Sequence, residues 1–236
     1  SCLRQECGGR SDRTGLPGAL EAGREMRFVD LTHVVKPGMT VFPGTEPPVF
    51  ETGSSIETDG FEEKKITLFS HTGTHMDAPA HIIPGALTLD QFEVDRFGGR
   101  ACVVDVSGIE TAKVEVGVLE ARAEPIQASD FVILHSGWSR LWESEDYFRG
   151  FPVLSPEAAE WLVEAGIKGL GIDMISVDEV DSTDFTVHNI LLGANLVIIE
   201  NLTNLELLPD SVFSFYCFPL RIDQADGSPV RAVAAI

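Results

Sequence analysis

The sequence predicts an α/β fold: a single domain built on a mixed β-sheet with a few helices packed against it. Three observations point there. Apolar runs of strand length recur along the chain, helix signals are few, and some runs, such as "LVII" (196–199), are apolar throughout, as in strands covered on both faces. A length of 236 residues, 44% of them apolar and 23% charged, is enough to bury a full core in one large domain.

Taken in order, the opening residues 1–26 read as an N-terminal arm or extension. They are rich in Gly, Arg and Ser, and the periodic pattern begins at "MRFVDLTHVV". The domain is placed over residues 27–236, because no linker, low-complexity tract or repeat interrupts it. Strands are expected at 28–35, 64–71, 101–107, 131–137, 167–174, 196–202, 211–221 and 229–236. The best helix signal is "SPEAAEWLVEAG" (155–166), with Ser155 as N-cap, Pro156 at the first helical position, Glu157 in the first turn and Gly166 as the stop. A second is "DFTVHNILLG" (184–193), where Asp184 can cap and Gly193 can end a short helix carrying His188.

Charge and cysteine usage narrow the partners. Seventeen Lys and Arg stand against 37 Asp and Glu, a net charge of −20. Nucleic acid and anionic membrane surfaces are therefore disfavoured. The four cysteines show no CxxC spacing, and Cys102 and Cys217 sit in strand-like runs as small core hydrophobes. The first 25 residues hold no stretch resembling a signal peptide, and no apolar run is long enough to span a bilayer. A cytoplasmic protein is expected.

The chemistry concentrates in "HTGTHMDAPAH" (71–81), which holds three of the six histidines. A tight turn around Thr72, Gly73 and Thr74 can converge His71, His75 and Asp77 on one point, a facial nitrogen and oxygen set suited to a divalent transition metal. Three protein ligands leave coordination positions open, as a catalytic metal needs. His81, beyond the Pro79 bend, is placed to be either a fourth ligand or a proton-transfer group. The HExxH motif of zinc proteases does not apply, because Thr72 occupies the position of its glutamate.

This stretch resembles the signature HxGTHxDxPxH of the cyclase family of metal-dependent hydrolases, the group containing bacterial kynurenine formamidase and isatin hydrolase, and every fixed position matches. "DLTHVVKPGMTVFPG" (30–44) and "VHNILLGANLVIIENLTNL" (187–205) are similar to further segments of that family, so the likeness spans about residues 27–210. The resemblance implies the family's swivelling β/β/α fold, a first metal on His71, His75 and Asp77, and general acid/base work for His81. For members with two ions it implies a second, held by Asp77, His188 and Glu200. Glu200 closes the apolar strand "LVII", a costly place for an unpaired carboxylate. An aromatic at the position of Phe42 lines the substrate pocket in the family.

The expected function is hydrolysis of an amide-type C–N bond in a small molecule, an arylformamide such as N-formylkynurenine or a cyclic amide, by metal-activated water. One or two divalent ions are expected, zinc first and manganese as the alternative, since both suit imidazole and carboxylate ligands. A cyclase or lyase acting on a small carbonyl substrate, and a metal-binding protein without turnover, remain open. The resemblance also implies a homodimer or homotetramer. The acidic run "GIDMISVDEVDSTDF" (171–185) lacks EF-hand spacing and reads as a solvated loop with a helix cap. His135 and Trp138 read as packed residues, and His33 is undecided.

Overall fold

The computed structural model describes residues 26–109 and 111–236. The arm assigned to residues 1–26 lies outside the described residues, apart from Met26. In chain order the strands are β1 (Phe28–Asp30), β2 (Val49–Ser54), β3 (Glu63–Thr67), β4 (His75–Asp77), β5 (Gly98–Asp105), β6 (Lys113–Val114), β7 (Phe131–His135), β8 (Val153–Leu154), β9 (Gly169–Ile172), β10 (Val197–Glu200), β11 (Phe213–Pro219) and β12 (Gly227–Ala235). The helices are α1 (Ile56–Asp59), α2 (Val116–Glu120), α3 (Ala123–Gln127), α4 (Pro156–Glu164) and α5 (Thr186–Gly193), none long and apolar enough to cross a membrane.

Eight strands form one mixed sheet in the order β1-β12-β11-β5-β7-β9-β10-β4, and β12 also pairs with β4, so the sheet closes like a barrel. Closure depends on the length of β12: residues 230–235 pair with β11, while 227–229 pair with β4. Strands β5, β7, β9 and β10 are mutually parallel. Closing a sheet removes the unpaired edges that would otherwise template association.

Two apolar cores explain the uninterrupted runs. Phe131, Ile133, Ile199, Met76 and Phe215 pack together on one face of the sheet. The alternate residues Val132, Leu134, Leu170, Ile172 and Ile198 pack with Leu162 of α4 and Leu191 of α5 on the other. A strand buried on both faces has no polar side to alternate with. At Gly169 a Cβ would lie 2.7 Å from Val197 Cγ2 and 2.8 Å from the Val197 carbonyl oxygen. Gly169→Ala is therefore expected to cost about 1–3 kcal/mol by overpacking, read as a lower urea midpoint; an unchanged midpoint would contradict this packing.

The helix at 155–166 forms as its signals indicate: the Ser155 hydroxyl accepts the Ala158 N–H at 3.1 Å, and Gly166 ends the turn at φ +74. The second helix is entered differently. Asp184 does not cap it; the Asp178 carboxylate accepts the N–H groups of Val187 at 3.0 Å and His188 at 3.1 Å. Phe185 takes a left-handed conformation at φ 48, and the chain from Asp178 folds back onto the helix start.

Two expected strands are also corrected. The strand at 28–35 ends at Asp30, whose carboxylate accepts the Thr32 N–H at 3.2 Å. The strand at 64–71 ends at Thr67 and pairs with β2 in a hairpin outside the barrel.

Candidate metal centre

The expected turn around Thr72, Gly73 and Thr74 is present, and His75 and Asp77 follow it on strand β4, which builds the site. Successive side chains of a strand point to opposite faces. Met76 therefore enters one core while His75 and Asp77 emerge together on the other face. β10 runs antiparallel to β4 with Glu200 opposite His75, so its carboxylate lands on the same face. α5 supplies His188, and the turn over residues 70–74 supplies His71. Gly73 sits in that turn at φ +66, where a side chain would be strained and would press within 3.0 Å of Met39.

His71 Nδ1 is 2.7 Å from Asp77 Oδ1, and His75 Nε2 is 3.3 Å from the same oxygen and 3.4 Å from Glu200 Oε2. His188 Nε2 is 3.8 Å from Asp77 Oδ2 and 3.6 Å from Glu200 Oε1. Two overlapping sets result, His71, His75 and Asp77, and Asp77, His188 and Glu200, each with its donor atoms within 4.8 Å of one another. Asp77 belongs to both.

Each imidazole is held by its remote nitrogen. His75 Nδ1 donates to the Gly73 carbonyl at 2.8 Å, and that carbonyl also accepts from Asn201 Nδ2 at 2.9 Å. His188 Nδ1 is 2.7 Å from Asp178 Oδ2, and His71 Nε2 is 3.0 Å from Asp226 Oδ2. Such partners fix ring orientation and leave the other nitrogen free to ligate.

The electrostatics describe a cage that needs positive charge. Burial alone would lower the pKa of His71, but the Asp77 charge and hydrogen bonds to Asp226 and Asp77 raise it to about 10. His188 is likewise raised to about 10, against burial, by Asp178, Glu200 and Asp77. Burial and the Asp77 charge push Glu200 up, while Asp77, despite its own burial, is held well below the usual carboxylate range by His71 and His75.

Asp77 is 1% exposed and Glu200 5%, and Glu200 Oε1 is buried without a hydrogen-bond partner among the described residues. Two buried carboxylates with an orphaned oxygen are costly unless a cation joins them. The donor set therefore fits a divalent ion.

A pH dependence follows. In metal-free protein the folded-state pKa values of His71 and His188, about 10, lie above the ordinary value of 6.5. Their stabilisation is complete below about 6.5 and lost as pH rises through about 10. Chelator-stripped protein is expected to melt progressively lower across that window, and metal-saturated protein much less so, because the ion replaces the protons. Identical melting curves would contradict this.

His81 lies on a single 3-10 turn (Pro79–His81), its ring 3.9 Å from that of His71 and its Nδ1 3.7 Å from Asp226 Oδ2. Burial lowers its pKa. It stands outside both inner sets, although it forms a half-exposed grouping with His71 and Asp226.

Phe42 is partly exposed, in a turn closed by the Thr45 N–H donating to its carbonyl at 3.0 Å. Its neighbour Pro43 lines a cavity of about 510 Å³ together with Phe148, Arg149, Phe151, Glu179 and Asp181. None of the five clustered residues lines that cavity. The wall at Glu179 follows directly on Asp178, which holds His188.

The acidic run at 171–185 is not wholly solvated: Asp173 and Asp178 are buried. Asp173 takes the N–H and hydroxyl of Ser136 at 2.9 and 2.6 Å, organising the turn after β7. His33 stacks on Trp142 at 4.0 Å, and the Trp138 indole N–H donates to the Tyr147 carbonyl at 3.0 Å.

Asp178, Asn201 and Asp226 are the site residues that reading the sequence missed. Asp178→Asn is expected to weaken metal binding about 10–100-fold, as loss of an imidazole's carboxylate partner does. Chelator competition measures it, and unchanged affinity would contradict the role.

Comparison with known proteins agrees with this architecture. Residues 29–179 match the model of the Cyclase family, described as "Putative cyclase". The kynurenine formamidase of Bacillus cereus is 30% identical over 207 residues, covering 87% of this chain and 96% of its own. An isatin hydrolase solved with the product analogue thioisatinate superposes with a TM-score of 0.80 at 26% identity, covering 90% of this chain and 93% of its own. A "predicted metal-dependent hydrolase" from Bacillus stearothermophilus superposes with a TM-score of 0.74 at 26% identity, covering 89% and 98%. With the HxGTHxDxPxH signature set on a closed mixed sheet, this chain belongs to the cyclase family.

Proposed function

We propose that the protein is a metal-dependent hydrolase of an amide-type C–N bond in a small molecule, an arylformamide such as N-formylkynurenine or a cyclic amide such as isatin. The observation that carries this is the pair of donor sets sharing Asp77, with His81 beside them and outside both. His71, His75 and Asp77 would hold one divalent ion, and Asp77, His188 and Glu200 a second; zinc is the first choice and manganese the alternative. Bound there, an ion supplies Lewis acidity, lowering the pKa of water from 15.7 toward about 7 and polarising the carbonyl under attack.

The chain's own contribution is orientation and proton transfer. Burial lowers the pKa of His81 and so favours its neutral ring, one nitrogen of which can take the proton of the attacking water. The same nitrogen returns that proton to the departing amine nitrogen as the C–N bond breaks. The names of the relatives support the substrate class. The description of the matching family, "Putative cyclase", favours a second reading, a lyase or cyclase on a small carbonyl substrate.

Assay on N-formylkynurenine, isatin and simple lactams, with and without chelator, tests the choice. Hydrolysis gives products that together carry the atoms of one water, lost with chelator and restored by metal. A product isomeric with its substrate, or one lacking the atoms of water, favours the second reading.

The functional domain is taken as residues 27–236, with 1–26 as an extension. A homodimer or homotetramer is part of the proposal: Val49, Ile66 and Phe69 are more than half exposed on or beside the β2–β3 hairpin, and a two-stranded ribbon alone is marginally stable in water. Cys102 and Cys217, buried and unpaired among the described residues, support a cytoplasmic location, and the net charge of −20 is unsuited to nucleic acid or anionic membranes.

A further inference from the structure

We infer that Asp226 is a positioning residue of the centre, setting which nitrogen His71 turns toward Asp77 and lying beside both His71 and the proton-transfer residue His81. The inference rests on the functional reading above for the presence of an ion. It concerns a residue outside both inner donor sets and outside the segment matched by the family model, residues 29–179.

The geometry is specific. His71 presents Nδ1 to Asp77 at 2.7 Å and Nε2 to Asp226 Oδ2 at 3.0 Å. An imidazole that ligates through one nitrogen carries its proton on the other, and that N–H needs an acceptor. Asp226 is that acceptor. His75 and His188 are held the opposite way round, by Nδ1, so His71 is the one imidazole of the three that would ligate through Nδ1.

Asp226 is itself fixed by the fold. Its carbonyl oxygen accepts the Ala78 N–H at 2.8 Å, tying it to the exit of β4. The next residue, Gly227, stands opposite Asp77 in the β12–β4 pairing. A Cβ on Gly227 would lie 2.5 Å from His71 Cε1 and 2.6 Å from Nε2, so the ring lies flat against a backbone with no room for a side chain. Asp226 Oδ2 is also 3.7 Å from His81 Nδ1, and the rings of His71 and His81 lie 3.9 Å apart. One carboxylate thus flanks both a ligand and the group that moves the proton.

The test compares Asp226→Ala with Asp226→Asn, which keeps an acceptor oxygen. Zinc affinity of chelator-stripped protein, by competition with a coloured chelator, should fall about 10–100-fold in the alanine variant. The asparagine variant should recover most of that loss. Long-range proton–nitrogen spectra of zinc-loaded wild type should show the proton of His71 on Nε2 and those of His75 and His188 on Nδ1. On substrate, Asp226→Ala should lower kcat with KM changed less than about threefold.

Wild-type affinity in Asp226→Ala, or a His71 proton on Nδ1 in the wild type, overturns the inference. Wild-type protein that binds zinc with the expected tautomers but hydrolyses nothing sinks the functional reading while supporting the role of Asp226. Wild-type protein that takes up neither zinc nor manganese overturns both.

Discussion

Asp77→Ala is expected to lose metal from both donor sets and to lower kcat/KM by roughly 10⁴-fold or more, a loss of about 5–6 kcal/mol of transition-state stabilisation. No other substitution should cost as much, because Asp77 is the residue shared by the two sets. Its two oxygens face different partners, Oδ1 toward His71 and His75 and Oδ2 toward His188. Asp77→Asn should fail almost as completely, since an amide keeps the shape but neither the charge nor the second anionic oxygen. A far-ultraviolet circular dichroism spectrum matching that of the wild type separates this loss from misfolding. Retention of stoichiometric metal by Asp77→Ala would refute the shared-carboxylate arrangement.

His81→Ala should behave in the opposite way with respect to metal. It is expected to keep wild-type metal content and to lose about 10²–10⁴-fold in kcat, the usual contribution of a positioned acid or base. The imidazole lies beside His71 but outside both inner sets, and burial, by lowering its pKa, favours the neutral ring that a proton acceptor needs. Added imidazole should restore part of the lost rate. If His81→Ala releases the ion, His81 is a ligand and the proton-transfer assignment is wrong.

Much of this architecture was legible in the sequence, and the reasons differ by element. The parallel strands β7 and β10 could be read from "FVIL" and "LVII" because burial on both faces writes continuous apolar runs. α4 was legible because Ser155, Pro156 and Gly166 act locally, through one hydroxyl, one fixed φ and one left-handed glycine. β4 was not, since a three-residue strand has no periodicity to detect, and "HMD" pairs with β10 and β12 through contacts distant in the chain.

The five clustered residues were named through the signature and two further segments resembling the family. The carboxylates that orient their rings were not. Asp178 lay hidden in an acidic run that resembled a solvated loop, and its burial comes from a chain reversal onto the start of α5. Asp226 carries no local signal at all: it reaches His71 across 155 residues of sequence. Asn201 takes a left-handed φ of 58 directly after Glu200 and lies behind His75, a placement set by tertiary contact with Gly73.

The most direct test of a divalent centre on His71, His75, Asp77, His188 and Glu200 is to return zinc or manganese stepwise to chelator-stripped protein and follow bound metal and amide hydrolysis in the same samples. Turnover near zero without metal, rising with occupancy and levelling at one or two equivalents per chain, is the predicted result. Full turnover in protein shown by elemental analysis to be metal-free would contradict it.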